Sequence, residues 1–234
     1  MTPEPASGDK GSHVRQLFTQ IVPRYDLVNT LITQGRDRRW RKRAAQASGL
    51  SPGGIALDVA SGTGKQALAL LDQGAGRVLG IDFCPAMLHR ARQQVDDPHA
   101  SFALADAQQL PFADDSFDAV VSSFLIRNVT DIELTFAEQR RVAKPGTCVV
   151  CLEIALPPPG WFGNLFRFYF FRLVPLVGGL VTGHQEAYRH LPESLVNFPS
   201  PGDLAVIMGK AGLRQVRYEL WAGGSVSLHV GVKV

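Results

Sequence analysis

Three cysteines in a chain of 234 residues are too few for a disulfide framework, and they fit a reducing compartment. Two of them, Cys148 and Cys151, have the spacing of a thiol pair, but they stand in TCVVCLEIAL, an apolar run that reads as a strand. Positions three apart on a strand face opposite sides, so neither a redox pair nor a metal clip is expected, and no metal is called for elsewhere. Excess charge is scarce too. A net charge of +3 is too small to argue for a nucleic-acid partner. The uncharged run at residues 173–183 falls well short of the ~20 residues that cross a bilayer. No signal peptide is read in MTPEPASGDKGS, which is polar and rich in Pro, Gly and Ser; residues 1–12 are expected to be a disordered tail. There is no internal repeat and no sign of a second core, so residues 13–234 read as one domain.

Two phosphate-binding motifs are missing as well. Lys65 follows the glycine-rich turn DVASGTG, but the GxxxxGK[ST] spacing of a Walker motif is absent. The dinucleotide pattern G-x-G-x-x-G also fails, because KQA follows Gly64.

What the chain does have is alternation. Apolar runs GIALDVA (54–60), RVLGID (77–82), ASFALAD (100–106), SFDAVVSS (116–123) and TCVVCLEIAL (147–156) read as strands. Between them KQALALLDQG, PAMLHRARQQV and ELTFAEQRRVA read as helices. Residues 13–49 look helical, with breaks at Pro23 and near Gly35, and an insertion at 156–185 precedes one more helix and two final strands. This pattern predicts an α/β fold: a Rossmann-like, doubly wound, mostly parallel seven-stranded sheet with N-terminal helices and a helical insertion.

In such sheets ligands bind at the carboxyl ends of the strands. The first three strands each close on an acid there: Asp58, Asp82 and Asp106. Three carboxylates repel a phosphate. They suit a ligand with a ribose diol, a cationic centre and an exocyclic amine, which describes S-adenosylmethionine. Small residues at alternate positions (Ala60, Gly62, Gly64) let backbone amides approach it. Taken singly, each acid could equally be a turn or helix-capping residue; the joint spacing favours the ligand.

Over nearly everything from residue 14 onward the chain resembles the ubiquinone/menaquinone biosynthesis C-methyltransferases, within the S-adenosylmethionine-dependent methyltransferases. The resemblance is carried by LDVASGTG, GIDFCPAMLHRAR, ADAQQLPFADDSFDAVVSSFLIRNVTD, the N-terminal YDLVN and YRHLPESLVNFPSPGDLAVIMGKAGL. Lys65 departs from it where an aspartate is usual, and His190 where a tyrosine is usual. The resemblance implies cofactor contacts from Thr63, Asp82, Asp106, Ala107 and Ser123, with Asp58 in the same crevice. It implies an acceptor site formed by Arg127 and Asn128, with Tyr25, Asp26 and Asn29 closing on one side and Tyr188 on the other. Arg127 would act as a fixed cation beside a phenolate, since arginine does not deprotonate in proteins. A salt bridge from Arg127 to Asp131 is the structural alternative, and Arg127→Ala is then read by whether rate or melting temperature falls. Lys65 is expected to face outward from its helical turn, so that Lys65→Asp leaves the fold intact.

The insertion bears on the substrate. WFGNLFRFYFF (161–171) holds seven of the chain's aromatics, which suggests a wall for a prenyl tail or a face resting on a membrane. Arg36, Arg38, Arg39, Arg41, Lys42 and Arg43 could face anionic lipid, or simply be a solvated helix face. The expected activity is methylation of a ring carbon of a prenylated quinol, demethylmenaquinol first, by a protein at the cytoplasmic face of a membrane. The resemblance also allows a homodimer. Two alternatives stand: a small-molecule or phospholipid N/O-methyltransferase, and a binding protein that kept the fold without catalysis.

Overall fold

The computed structural model describes residues 7–183 and 191–234. Five strands, β1 (Ile55–Val59), β2 (Arg77–Asp82), β3 (Ala100–Leu104), β4 (Ala119–Ser123) and β5 (Cys148–Ile154), lie parallel; at one side β7 (Val226–Val232) runs antiparallel to both β5 and the edge strand β6 (Arg214–Trp221). The order is β3-β2-β1-β4-β5-β7-β6. The central strands β1 and β4 are covered on both faces, which is why they read as unbroken apolar runs. The expected seven strands are all present. β3 ends at Leu104, so Asp106 lies just beyond it in a turn.

The strand order reverses between the parallel neighbours β1 and β4, and that switch point opens a crevice at their carboxyl ends. Two residues at the rim, Ala60 and Phe124, hold positive φ of 60° and 63° although neither is glycine. Such backbone is strained by about 1–2 kcal/mol per residue, and it turns the chain sharply out of the sheet at this crevice.

Around the sheet stand α1 (Ser7–Thr33), α2 (Asp37–Ala47), α3 (Lys65–Leu71), α4 (Pro85–Gln94), α5 (Ile132–Val142), α6 (Trp161–Phe168), α7 (Val174–Thr182) and α8 (Pro201–Lys210). α1 departs from expectation twice. It starts at Ser7, so residues 7–12 of the expected tail are helical, and it runs through Pro23 without ending. An interior proline costs roughly 3 kcal/mol. Both halves of this helix are anchored: Leu17, Ile21 and Val28 are buried in one cluster, and Val22 packs with Cys84 and Met87 in another. Propagating an existing helix into Ser7–Ser12 needs no new nucleus. The break near Gly35 is observed, with Gln34 and Gly35 both at positive φ.

α6, a wider π turn at Tyr169–Leu173, and α7 form one helical run. The wide turn comes just before Pro175, which has no N–H to donate. Arg167 and Arg172 interrupt the apolar sequence but not the helix, so Trp161–Val181 is, by length and composition, long enough to cross a bilayer. One face is packed on the domain through Phe170 and Val174 against Leu195.

Candidate active site

Asp58 is the penultimate residue of β1 and Asp82 the last of β2, and both side chains are buried. Asp58 Oδ2 accepts from Ser61 Oγ at 2.6 Å, while Asp58 Oδ1 has no partner among the described residues. Asp82 accepts one backbone N–H on each oxygen, from Gly62 and Cys84, both at 2.9 Å. Burial pushes each carboxyl up to about 6. The Ser61 hydroxyl and then the Arg41 charge hold Asp58 from rising further; backbone N–H groups, led by that of Cys84, do so for Asp82. A carboxylate has about four lone-pair sites, so Asp82 keeps capacity for a diol.

Asp106 is exposed and accepts the Gln108 N–H at 2.8 Å. With Asp82, Ala107 and Asn128 it lines a cavity of about 100 Å³. A Cβ built on Gly62 meets nothing within 4 Å, whereas one on Gly64 would lie 2.6 Å from Val95 Cγ2. The turn therefore leaves open space on one side and packs tightly against α4 on the other. An orphaned carboxylate oxygen, an acid with spare acceptors and a slot floored by small residues fit an adenosyl ligand.

Two of the positions expected to contact a cofactor are engaged with other side chains. Thr63 Oγ1 donates to Asp26 Oδ1 at 2.8 Å, and Ser123 Oγ donates to Gln66 Oε1 at 2.8 Å. Asp26 does not close over an acceptor ring: its other oxygen accepts from Gln94 Nε2 at 2.9 Å, so it straps α1 across the glycine turn. Lys65 does not face outward. Its ammonium lies 3.2 Å from Asp26 and 3.4 Å from Asp37, joining α1, α2 and α3. Lys65→Asp would set three carboxylates together. With Lys65 29% exposed, the expected loss is ~1–2 kcal/mol, seen as a lower melting temperature with cofactor binding retained. An unchanged melting temperature would show that the strap does not hold α1.

A second, larger cavity of about 430 Å³ adjoins the switch point. α1 contributes Tyr25 and Asn29, α2 contributes Trp40 and Arg41, and the segment after β4 contributes Phe124 and Arg127. The insertion supplies Phe162, Phe166, Tyr169 and Phe170. Tyr169 is fixed by its hydroxyl, which donates to Ile32 O at 2.9 Å. The walls are mostly apolar, with a few polar groups converging near Phe124.

Arg127 reaches this cavity, but its ion-pair partner is Glu153 on β5, not Asp131. Glu153 is fully buried, and Arg127 nearly so. Asp131 instead caps α5, accepting the Leu134 N–H at 2.9 Å. An N-cap acid already bonded to its own helix is a poor partner for a side chain on the preceding turn. Asn128 lines the smaller cavity rather than the larger one. Tyr188 and His190 lie outside the described residues.

Sequence reasoning missed Glu153 and misplaced Arg41. Glu153 was legible as a lone acid inside CVVCLEI, a run that must be buried. Arg41 stands among six basic residues whose sequence suggests a face toward lipid or solvent; in the fold its guanidinium turns inward to the Phe124 ring, 5.1 Å from the centroid.

Comparison with known proteins places the chain in a family. Residues 6–233 match the model of the ubiE/COQ5 methyltransferase family. A demethylmenaquinone methyltransferase of Thermus thermophilus is 44% identical over 218 residues, covering 92% of this chain and 99% of that protein. A ubiquinone/menaquinone biosynthesis C-methyltransferase of a Geobacter species is 40% identical over 234 residues, covering 97% and 99%. Among solved structures, a SAM-dependent methyltransferase from Thermotoga maritima superposes with a TM-score of 0.67 at 19% identity, covering 95% of this chain and all of that one. One from Aquifex aeolicus gives 0.63 at 19% identity, covering 89% and 98%.

Proposed function

The chain belongs to the ubiE/COQ5 methyltransferase family, and on that basis we propose that it methylates a ring carbon of a prenylated quinol, demethylmenaquinol being the first choice. The observation that carries this reading is a 430 Å³ aromatic-walled cavity and an acid-lined crevice, both bordered by the segment that follows β4 at the switch point. S-Adenosylmethionine, when bound, supplies an electrophilic methyl group on a sulfonium. Asp82 accepts its ribose hydroxyls, and Asp106 with the backbone of Ala107 meets the adenine. Asp58, Thr63 and Ser123 complete the crevice wall, Thr63 after exchanging its bond to Asp26.

A ring carbon beside a phenol becomes nucleophilic when the hydroxyl ionises, and a free phenol titrates near ~10. The site must therefore favour the anion. Arg127 commits Nη1 to Glu153 and still lines the cavity, so its other terminal nitrogen can donate to the acceptor oxygen from a fixed position. Tyr25 and Asn29 orient the ring from α1, and Asn128 lines the smaller crevice. Tyr188 is the proposed counterpart on the far side. The aromatic wall excludes water, and much of the rate comes from holding carbon and methyl in line.

The acceptor is a lipid, and the surface around the cavity fits a membrane. Trp161 and Leu180 are 80% and 77% exposed on the outer face of the insertion, with Leu165, Phe168 and Leu176 beside them. Next to the cavity mouth Arg36, Arg39, Lys42 and Arg43 form an open trough with Trp40 and Trp221. We propose that this face rests on anionic lipid. Replacing both Trp161 and Leu180 with serine should weaken sedimentation with phosphatidylglycerol vesicles at least ~10-fold, as each buried side chain contributes ~1.5–3 kcal/mol. Equal binding would remove the insertion from the contact.

Expression in a bacterium deleted for its own ring C-methyltransferase tests the activity. Lipid-extract mass spectrometry should show the demethylated quinone replaced by the methylated one, and the rescued species names the acceptor. Continued accumulation of the demethylated form would count against the reading.

A further inference from the structure

Three guanidiniums reach the large cavity, and they differ in what balances them. Arg36 is exposed at the mouth. Arg127 is paired with Glu153. Arg41 has no carboxylate partner among the described residues, and its Nε is buried without a hydrogen bond. We infer that Arg41 is the cation that carries the negative charge on the acceptor's ring oxygen. This deepens the quinol reading and rests on it.

The argument is electrostatic. A phenolate set against Arg127 also meets the Glu153 carboxylate just behind it, so attraction and repulsion largely cancel. Arg127 then serves as a rigid donor within a pair that has no net charge. Arg41 adds charge that nothing nearby cancels by contact. On its own helix Asp37 is engaged by Lys65 at 3.4 Å and by the Thr33 hydroxyl at 3.1 Å. On β1, Asp58 feels the Arg41 charge but lies against Ser61. Besides Arg127, the titratable groups of the described residues that line the cavity with it are Arg36, the Asp37 carboxylate held by Lys65 and Thr33, the phenol of Tyr25 and the Tyr169 hydroxyl held on Ile32.

Arg41 is also held in place without using its donors. Both guanidiniums approach the Phe124 ring, at 5.1 and 5.8 Å from its centroid. A cation–π contact anchors the charge and leaves the N–H groups available to a ligand oxygen. Phe124 sits there because the chain accepts φ of 63° at a non-glycine position. The strained turn thus aims one ring between two arginines.

The test uses the full chain and 2-methyl-1-naphthol, whose ultraviolet absorption changes on ionisation. Bound to the protein, its pKa should fall by about 1–3 units, the usual effect of an adjacent opposite charge. Arg41→Gln should return it to the free value and cut kcat by ~10²–10³ with little change in KM, melting temperature or cofactor affinity. Arg41→Lys should keep part of the shift. If Arg41→Gln fails to fold, Arg41→Lys carries the test, because a full-sized shift in it would contradict a guanidinium-specific role. An intact shift in Arg41→Gln overturns the inference. So does lost cofactor affinity with an intact shift, which would assign Arg41 to the carboxylate of the methionine moiety. A wild-type protein that methylates no quinol fails the parent reading instead, and the inference falls with it.

Discussion

Arg127→Ala should lower stability by ~3–5 kcal/mol, because it strands the Glu153 carboxylate in the sheet. At roughly 2–4 °C per kcal/mol for a domain of this size, the melting temperature should drop by about 6–20 °C. Activity will fall as well, so the single variant does not separate chemistry from structure. The double replacement Arg127→Met with Glu153→Leu does. Removing both partners of a buried pair in favour of apolar groups is often neutral or stabilising. The double variant should recover most of the melting temperature yet lose most of its activity, since the rigid Arg127 donor is then gone from the cavity. Recovery of both would make the pair purely architectural. A single variant with an unchanged melting temperature would mean that Glu153 is not a buried charge.

Asp82→Ala should weaken S-adenosylmethionine binding by ~1–3 kcal/mol through loss of charge-assisted bonds to the ribose. Calorimetry on the folded variant reads this directly, and unchanged affinity would remove the ribose assignment. The wild type should show a matching pH dependence. Asp82 and Asp58 are both raised from 3.8 to about 6. Cofactor affinity should therefore fall as pH drops below about 6, where the carboxylates gain protons and become weaker acceptors. Stability has the opposite sign. A raised folded pKa means that the native state binds more protons than the unfolded chain. The contribution of these two groups is full below about pH 4 and is lost as pH rises through about 6. Added cofactor should offset that loss near neutrality. Affinity that is flat between pH 5 and 7 would show that neither acid meets the ligand.

The fold was legible because its signals are periodic. Buried parallel strands read as apolar runs, and all three acids that mark the crevice stand at or just past strand ends. What stayed hidden depended on partners far apart in sequence. Arg127 and Glu153 are 26 residues apart, and Lys65 meets Asp37 across 28. No local pattern distinguishes an arginine facing a ligand from one facing a carboxylate on the adjacent strand. Nor does spacing reveal that Arg41 turns inward while Arg39 and Lys42 line the outer trough. Pro23 misled for a related reason. Its local preference against helix is overridden by side chains that the rest of the fold buries, Leu17, Ile21, Val22 and Val28.

Carbon methylation of an ionisable ring requires the reduced acceptor, because only the quinol has a hydroxyl to ionise. The direct measurement is to give purified protein S-adenosylmethionine and demethylmenaquinone in oxidised and in dithionite-reduced form, and to identify products by mass spectrometry and proton NMR. The account predicts one added methyl group on the ring carbon from the quinol and none from the quinone. A methyl ether, equal turnover of the oxidised form, or no product despite measured cofactor binding would contradict it.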